Sequence, residues 1–267
     1  PPPVASPCST GVLGADFVGS GRGQFRGRSD YRGRDADGHH VVSRLTGAET
    51  TIHARKLVDA TYVESEIPSR HTPSYAVDAG VCHVTPNDLV DLEAPAEQFT
   101  VLGAGKTAMD TCNWLLDAGV DPDRIRWIRP RDAWLFNRTW MQPLQLVGSY
   151  MQMQARWLEA AAESADGADF AARLEAQDVF VRIDRDVEPQ AFRGANISTR
   201  EIDALRTIKQ VVRLGRVRRI SRDRIELDHG EVPANRGDVY IDCTAAGVRP
   251  TEVRPIFEPD RITLQYV

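Results

Sequence analysis

Phe99-Thr100-Val101-Leu102-Gly103-Ala104-Gly105-Lys106-Thr107-Ala108-Met109-Asp110 is the stretch on which the reading of this chain turns. A short apolar run meets a Gly-x-Gly-x-x-Ala turn, and an amphipathic helical pattern follows without a gap. In such a turn the first glycine lets the chain leave its strand sharply. The second lets a diphosphate approach bare backbone, and the small third position, here Ala108, allows close packing of helix on sheet. N–H groups at the helix start then face the phosphates, aided by the positive end of the helix dipole. Lys106 and Thr107 lie inside the turn and can add contacts. Gly103, Ala104, Gly105, Lys106, Thr107 and Ala108 are therefore the candidate phosphate-binding residues.

The flanks support this reading. Ala108, Met109, Cys112, Leu115 and Leu116 recur on one helical face, and Gly119 supplies a helix stop. Asp121-Pro122-Asp123 reads as a turn and Ile125-Arg126-Trp127-Ile128 as the next strand, completing a βαβ unit. Arg129 and Arg131 follow, about 20–25 residues beyond the glycines, where such folds discriminate between nicotinamide cofactors. An acidic residue there would accept a hydrogen bond from a ribose 2′-hydroxyl. Arginines offer charged forks to a 2′-phosphate instead, which points to NADP(H) over NAD(H).

With 267 residues, 42% of them hydrophobic, the chain can bury a sizeable core. A net charge of −5 argues against general affinity for nucleic acid or anionic membranes. No apolar run approaches the ~20 residues that span a bilayer, and the N-terminus lacks a signal-peptide pattern. Cys8, Cys82, Cys112 and Cys243 are scattered, with no pair spaced for zinc or dithiol chemistry. Cys112 and Cys243 read as core thiols, and a reducing cytoplasm is the expected setting. HExxH, GxSxG and P-loop patterns are absent, and no metal site is expected.

Residues 1–34 are rich in Pro, Gly and Arg and read as a flexible end leading into a strand near Phe25–Tyr31. Gly21-Arg22-Gly23 and Arg26-Gly27-Arg28, with Phe25 and Tyr31 interleaved, also look locally like an arginine–glycine RNA-binding segment. His39-His40 reads as the start of a strand. Lys56-Leu57-Val58-Asp59-Ala60-Thr61 reads as a strand buried on both faces, and Ile67–Pro73 as a proline-punctuated link. A helical insertion or cap is expected at about 136–210, with Tyr150–Glu163, Ala168–Ala176 and Glu201–Lys209 as its helices. Strands are expected at Val211–Ile220 and Arg224–Leu227, the second followed by an Asp228-His229-Gly230 turn. Val239–Gly247 closes the pattern as an extended apolar run that becomes small and ends in glycine.

Leu57-Val58-Asp59-Ala60-Thr61 and Tyr240-Ile241-Asp242-Cys243-Thr244-Ala245-Ala246-Gly247 match each other, one before the glycine turn and one well after it. Together with that turn, over roughly residues 40 to 250, they resemble the flavin-containing monooxygenase-like FAD/NAD(P)-binding oxidoreductases. In that family such strand ends mark the two crossings between an FAD domain and an NADPH domain. The resemblance assigns Ala60 and Thr61 to the first crossing, and Thr244, Ala245, Ala246 and Gly247 to the second.

It implies a Rossmann-like three-layer ββα NADP-binding domain joined to an incomplete FAD-binding domain with a β-meander. The domains would be 35–95 (partial FAD-binding), 96–250 (NADP-binding, with the insertion) and 251–267 (a tail returning to the FAD domain). The implied cofactors are NADP(H) and FAD, and the implied reaction, monooxygenase-like, is hydride transfer from NADPH to FAD followed by reaction of the reduced flavin with oxygen or another acceptor. A small-molecule substrate is implied as the partner. Tyr62 stands where the family carries a glycine, and the second crossing reads Thr-Ala-Ala-Gly. A leading glycine turn for FAD and a late Gly-Asp segment have no counterpart, which implies a chain incomplete at both ends.

No residue is assigned an acid–base role. Arg138 and Gln142 follow the second strand closely enough to line a nicotinamide cleft. Two other functions fit parts of the sequence: an NADP-dependent reductase or dehydrogenase without flavin, and a non-catalytic nucleotide- or RNA-binding module.

Overall fold

The apolar run at Gln98–Leu102 becomes the central strand of a five-stranded parallel sheet. Its Thr100, Val101 and Leu102 are buried, as expected of a parallel strand covered on both faces. The structure is a computed structural model that describes residues 19–21, 23–63, 65–142, 144–248 and 251–265. Cys8, Arg22 and most of the Pro/Gly/Arg-rich end lie outside the described residues. The chain divides into two compact units, one of residues up to 63 with 251–265, the other of residues 65–248.

In the larger unit the sheet strands are β1 (Cys82–Val84), β2 (Gln98–Leu102), β3 (Ile125–Ile128), β4 (Gln210–Val212) and β5 (Asp238–Asp242). They lie in the order β4-β3-β2-β5-β1, with every pairing parallel. Helix α1 (Lys106–Asp117) follows β2 and buries Ala108, Met109, Thr111, Cys112 and Leu115 against one face. Thr111 joins that face because its hydroxyl donates back to Thr107 O (2.8 Å). At the far end Gly119 takes φ +85°, and the N–H groups of Gly119 and Val120 reach the carbonyls of Leu116 and Leu115.

On the opposite face lies an antiparallel meander of Val217–Ile220, Arg224–Leu227 and Gly230–Pro233, joined by Ala76–Val77. Leu102, Ile128 and Tyr240 pack there against Ile220, Ile225 and Leu227. Helix, parallel sheet and meander make three layers. The sequence suggested one strand over Val211–Ile220. Instead the chain breaks at Gly215 (φ +84°), where Asp228 lies against the glycine and accepts from Arg216 N (2.7 Å). Leu227 pairs directly with Gly230, so Asp228-His229 is the hairpin turn.

The segment between β3 and β4 is less helical than its composition implied. Helices α2 (Val147–Glu163), α3 (Gly167–Ala176) and α4 (Thr199–Leu205) are accompanied by a small sheet of Phe180–Val181, Ala133–Asn137 and Ala191–Ile197. Aromatic packing explains the strands: Trp134 and Phe136 of the middle strand meet Phe180, and Trp157 of α2 packs on both phenylalanines.

Residues 65–95 also differ from expectation. They fold with the larger unit, because β1 pairs with β5 and Ala76–Val77 pairs with the meander. The boundary expected at 95 therefore falls at 64.

In the smaller unit Ser29–Asp35, Gly38–Ser43 and Glu49–Ile52 form an antiparallel sheet, and Leu57–Asp59 pairs in parallel with Arg261–Thr263. Val58 is 54% exposed, so this strand is not buried on both faces as its apolar run suggested. The strand expected near Phe25 begins at Ser29 instead. Tyr31 donates to or accepts from His39 Nδ1 (2.8 Å), and Arg26 reaches Thr50, which occupies two residues of the arginine–glycine segment within the unit.

Candidate functional site

The carboxyl ends of β2 and β5 meet where the strand order reverses, the position at which open α/β sheets hold ligands. Gly103 leaves β2 at φ +128°, and a Cβ there would lie 2.7 Å from the carbonyl oxygen of Cys243. Its own carbonyl accepts from Trp127 Nε1 (2.7 Å), and its N–H donates to Ile128 O (3.0 Å). The first glycine thus serves the contact between strand ends.

Gly105 is different. It is the N-cap of α1 with an extended backbone, no side chain caps the helix, and a Cβ would meet nothing within 4 Å. Three features coincide here: open space, uncapped N–H groups and a helix long enough to carry a dipole. The residues therefore fit a diphosphate at this turn. Ala108 is fully buried, as the close packing of helix on sheet requires.

Of the second crossing, Thr244 donates its N–H (2.9 Å) and hydroxyl (2.6 Å) to Asp242 Oδ1. Thr61 does the same with Asp59 Oδ1, at 3.0 and 2.8 Å. The two matching segments therefore share one Asp-x-Thr turn. Cys243 lies against both Gly103 and the Thr111 hydroxyl (3.5 Å), so β5's end is part of the glycine-turn region. Gly247 takes φ +78°, while Ala246 and Gly247 are exposed. Ala60 and Thr61 are exposed residues of the smaller unit. Burial pushes the Cys243 thiol up to about 12 and raises Cys112 as well, so neither is a thiolate at neutral pH.

Arg129 and Arg131 separate in role. Arg129 is 2% exposed, its guanidinium 4.8 Å from the Trp127 ring centre and its Nη2 2.7 Å from Asp132. Asp132 also receives Arg213 (2.9 Å), which continues to Asp184 (2.6 Å). Burial lowers the Arg129 pKa from its usual value, opposed by Asp132. Arg129 is thus buried and tied to Asp132 through Nη2, while its Nε and Nη1 have no hydrogen-bond partner among the described residues. Arg131 is only half-buried.

Sequence reasoning did not find Glu201. Its Oε2 accepts from Ser198 N (2.7 Å) and Oγ (2.6 Å), the capping box of α4. Arg138 Nη1 lies 3.0 Å away, and Lys106 Nζ reaches Oε1 at 3.4 Å. Arg138, expected near the nicotinamide, also holds Asn196 Oδ1 (3.0 Å), and Gln142 Nε2 donates to Arg138 O (2.9 Å). Partial burial alone would raise the Glu201 carboxyl. The Ser198 hydrogen bonds and the charges of Lys106 and Arg138 outweigh it and bring the value to about 2.

Because folding lowers this pKa, Glu201 contributes stability above its ordinary value of 4.5, and that stability is lost as pH falls towards 2. Allowing for solvent screening of the part-exposed carboxylate, about 2 kcal/mol of acid destabilisation is expected from this group. Chemical denaturation between pH 6 and pH 2 (on the order of one transition per half unit) checks it. Glu201→Gln should flatten the slope.

A second polar cluster was equally hidden. His71 lies 3.3 Å from the Thr244 hydroxyl through Nε2 and 3.0 Å from Glu66 through Nδ1. Tyr75 and His83 share a 2.9 Å hydrogen bond, and burial of both lowers the His83 pKa and raises that of Tyr75. The Ser198-x-x-Glu201 spacing was legible as a capping signal, whereas nothing local in sequence links His71 with Thr244 across 173 positions. Among the described residues no group of His, Cys, Asp or Glu could hold a metal, and no helix is long and apolar enough to cross a membrane.

No family model matches the chain. It is 39% identical over 268 residues to an uncharacterized protein of Mycobacterium bovis (strain ATCC BAA-935 / AF2122/97), covering 99% of this chain and 49% of that protein. Uncharacterized proteins of Mycobacterium tuberculosis strains CDC 1551 and H37Rv match at the same identity and coverage. The chain thus spans about half the length of the curated relatives it matches. Among solved structures, an FAD-dependent pyridine nucleotide-disulphide oxidoreductase from Desulfovibrio vulgaris is similar over 88% of this chain and 52% of its own, at TM-score 0.33 and 15% identity. An L-lysine 6-monooxygenase from Pseudomonas syringae is similar over 91% and 61%, at TM-score 0.37 and 13% identity. What the glycine turn can hold is decided by its own geometry.

Proposed function

We propose that Gly103–Ala108 cradles the diphosphate of NADP(H), and that the chain is the nicotinamide-nucleotide-binding part of an FAD-linked oxidoreductase acting on a small-molecule substrate. The observation that carries this reading is Gly105: bare, open backbone at the uncapped start of α1, at the switch point of a parallel sheet. NADPH when bound supplies a hydride. The chain's residues bind and orient it: backbone N–H groups of α1 meet the diphosphate, and Ala108 sets the helix against the sheet. Arg131 offers a guanidinium to the 2′-phosphate, and the buried Arg129, paired with Asp132, stands two residues before it. Cys243, directly after β5, lies against Gly103 on the other side of the turn, and Thr244 and Ala245 follow it in the chain.

FAD enters this proposal through the resemblance of the crossing segments. Among the described residues only one strand–glycine turn–helix unit is present, so no second dinucleotide cradle is available to derive a flavin step from. A second reading takes this cradle by itself: an NADP-dependent reductase without flavin. The absorbance spectrum of the purified protein separates them: flavin bands support the first, a colourless protein that binds NADPH supports the second. NADP preference has its own test. Arg131→Ala is expected to weaken NADPH by about 10-fold while changing NADH little, since it removes one charge-assisted phosphate contact. Equal losses for both nucleotides in a fluorescence titration would remove Arg131 from the 2′-phosphate site.

A further inference from the structure

Glu201 gathers positive charge from two other segments, at Lys106 of the phosphate turn and at Arg138. Lys106, the first helical residue of α1, sends its ammonium to Glu201 and to Asp110 of its own helix. Arg138 reaches both carboxylate oxygens, Nη1 to Oε2 at 3.0 Å and Nη2 to Oε1 at 3.3 Å. Two cations face two carboxylates, so the cluster is neutral as it stands. Lys106 directly follows the open N-cap Gly105, yet its charge is committed sideways to carboxylates.

We propose that Glu201 is an internal counter-anion: it competes with the nucleotide's phosphates for Lys106 and Arg138, and so sets how tightly the cradle holds its ligand. This rests on the nucleotide reading of Gly103–Ala108. The asymmetry of the cluster gives the direction. Lys106 and Arg138 are long side chains, 31% and 40% exposed; Lys106 can swing from its carboxylates, and Arg138 can turn its Nη1 away from Glu201 while Nε stays on Asn196. Glu201 is pinned by two donors of Ser198 and keeps them when the cations leave, so its carboxylate stays in place while the cations move. A phosphate arriving at the start of α1 brings negative charge towards a fixed carboxylate and draws the two mobile cations from it. Glu201 is thus a positioning residue that acts through Lys106 and Arg138, and it opposes binding.

The test is NADPH titration by fluorescence on the full chain, comparing wild type with Glu201→Gln, Lys106→Met and Lys106→Met/Glu201→Gln. Glutamine at this position retains the capping box, so the fold of α4 is preserved; a thermal melt of each variant verifies it. Glu201→Gln is expected to tighten NADPH about 3- to 10-fold, the size of one part-exposed charge pair. Lys106→Met is expected to weaken it about 3-fold or more, and to remove most of the gain when combined with Glu201→Gln. A purely structural role predicts the opposite sign, since loosening the cluster would weaken binding. Unchanged or weaker binding by folded Glu201→Gln overturns the proposal while leaving the cradle intact. No binding by wild type overturns the cradle and this proposal with it.

Discussion

Gly105→Val is expected to leave the chain folded and to weaken NADPH by at least about 100-fold, the loss of two or more charge-assisted hydrogen bonds between phosphate and backbone. Its backbone, φ −90° and ψ −179°, suits any L-residue, and its missing side chain would point into empty space. The cost to folding is confined to a poorer N-cap, about 1 kcal/mol at most. The isopropyl group would instead stand where the diphosphate must approach. Fluorescence titration beside a thermal melt separates the two effects. A folded variant with wild-type affinity would dismiss the cradle.

Gly103→Ala should behave in the opposite manner. Here φ is +128°, a region L-residues rarely occupy, and the new methyl would lie 2.7 Å from a backbone carbonyl of Cys243. That carbonyl belongs to the end of β5 and cannot retreat without moving the strand. Strain of about 1–3 kcal/mol and overpacking of similar size add, so a loss of about 3–5 kcal/mol is expected. For a unit of this size that lowers the melting temperature by roughly 10 °C. A melt within about 2 °C of wild type would show that the turn relaxes freely. Two glycines two residues apart thus carry separable burdens, one for the fold and one for the ligand.

That distinction could not be read from the sequence, where both glycines are letters of one motif. The unit around them was legible because its signals are local. Apolar run, glycine turn, one-sided helix and Gly119 all lie within about 25 residues of each other, and β2, α1 and β3 follow them. The hairpin at Asp228-His229 was legible for the same reason. Failures came where a distant partner decides. The run expected as one strand is split between Val212 and Val217, where Gly215 turns at φ +84° beside Asp228. The Ala133–Asn137 strand is fixed by aromatic residues from Phe180 and α2. Arg129 looked like a surface fork, and its burial depends on Asp132 nearby and on Arg213 joining from beyond β4. Val58 reads as core by composition, yet among the described residues its strand pairs with one neighbour, Arg261–Thr263.

The separation of β3 from β4 has a consequence for the order of assembly. These strands are neighbours in the sheet, yet residues 129–209 lie between them. Closing so long a loop is entropically slow before anything shortens it. The aromatic cluster supplies that shortening, since Trp134, Trp157 and Phe180 can gather without the parallel sheet. β4, short and at the rim, is then the last strand to zip onto its neighbour and the first to fray.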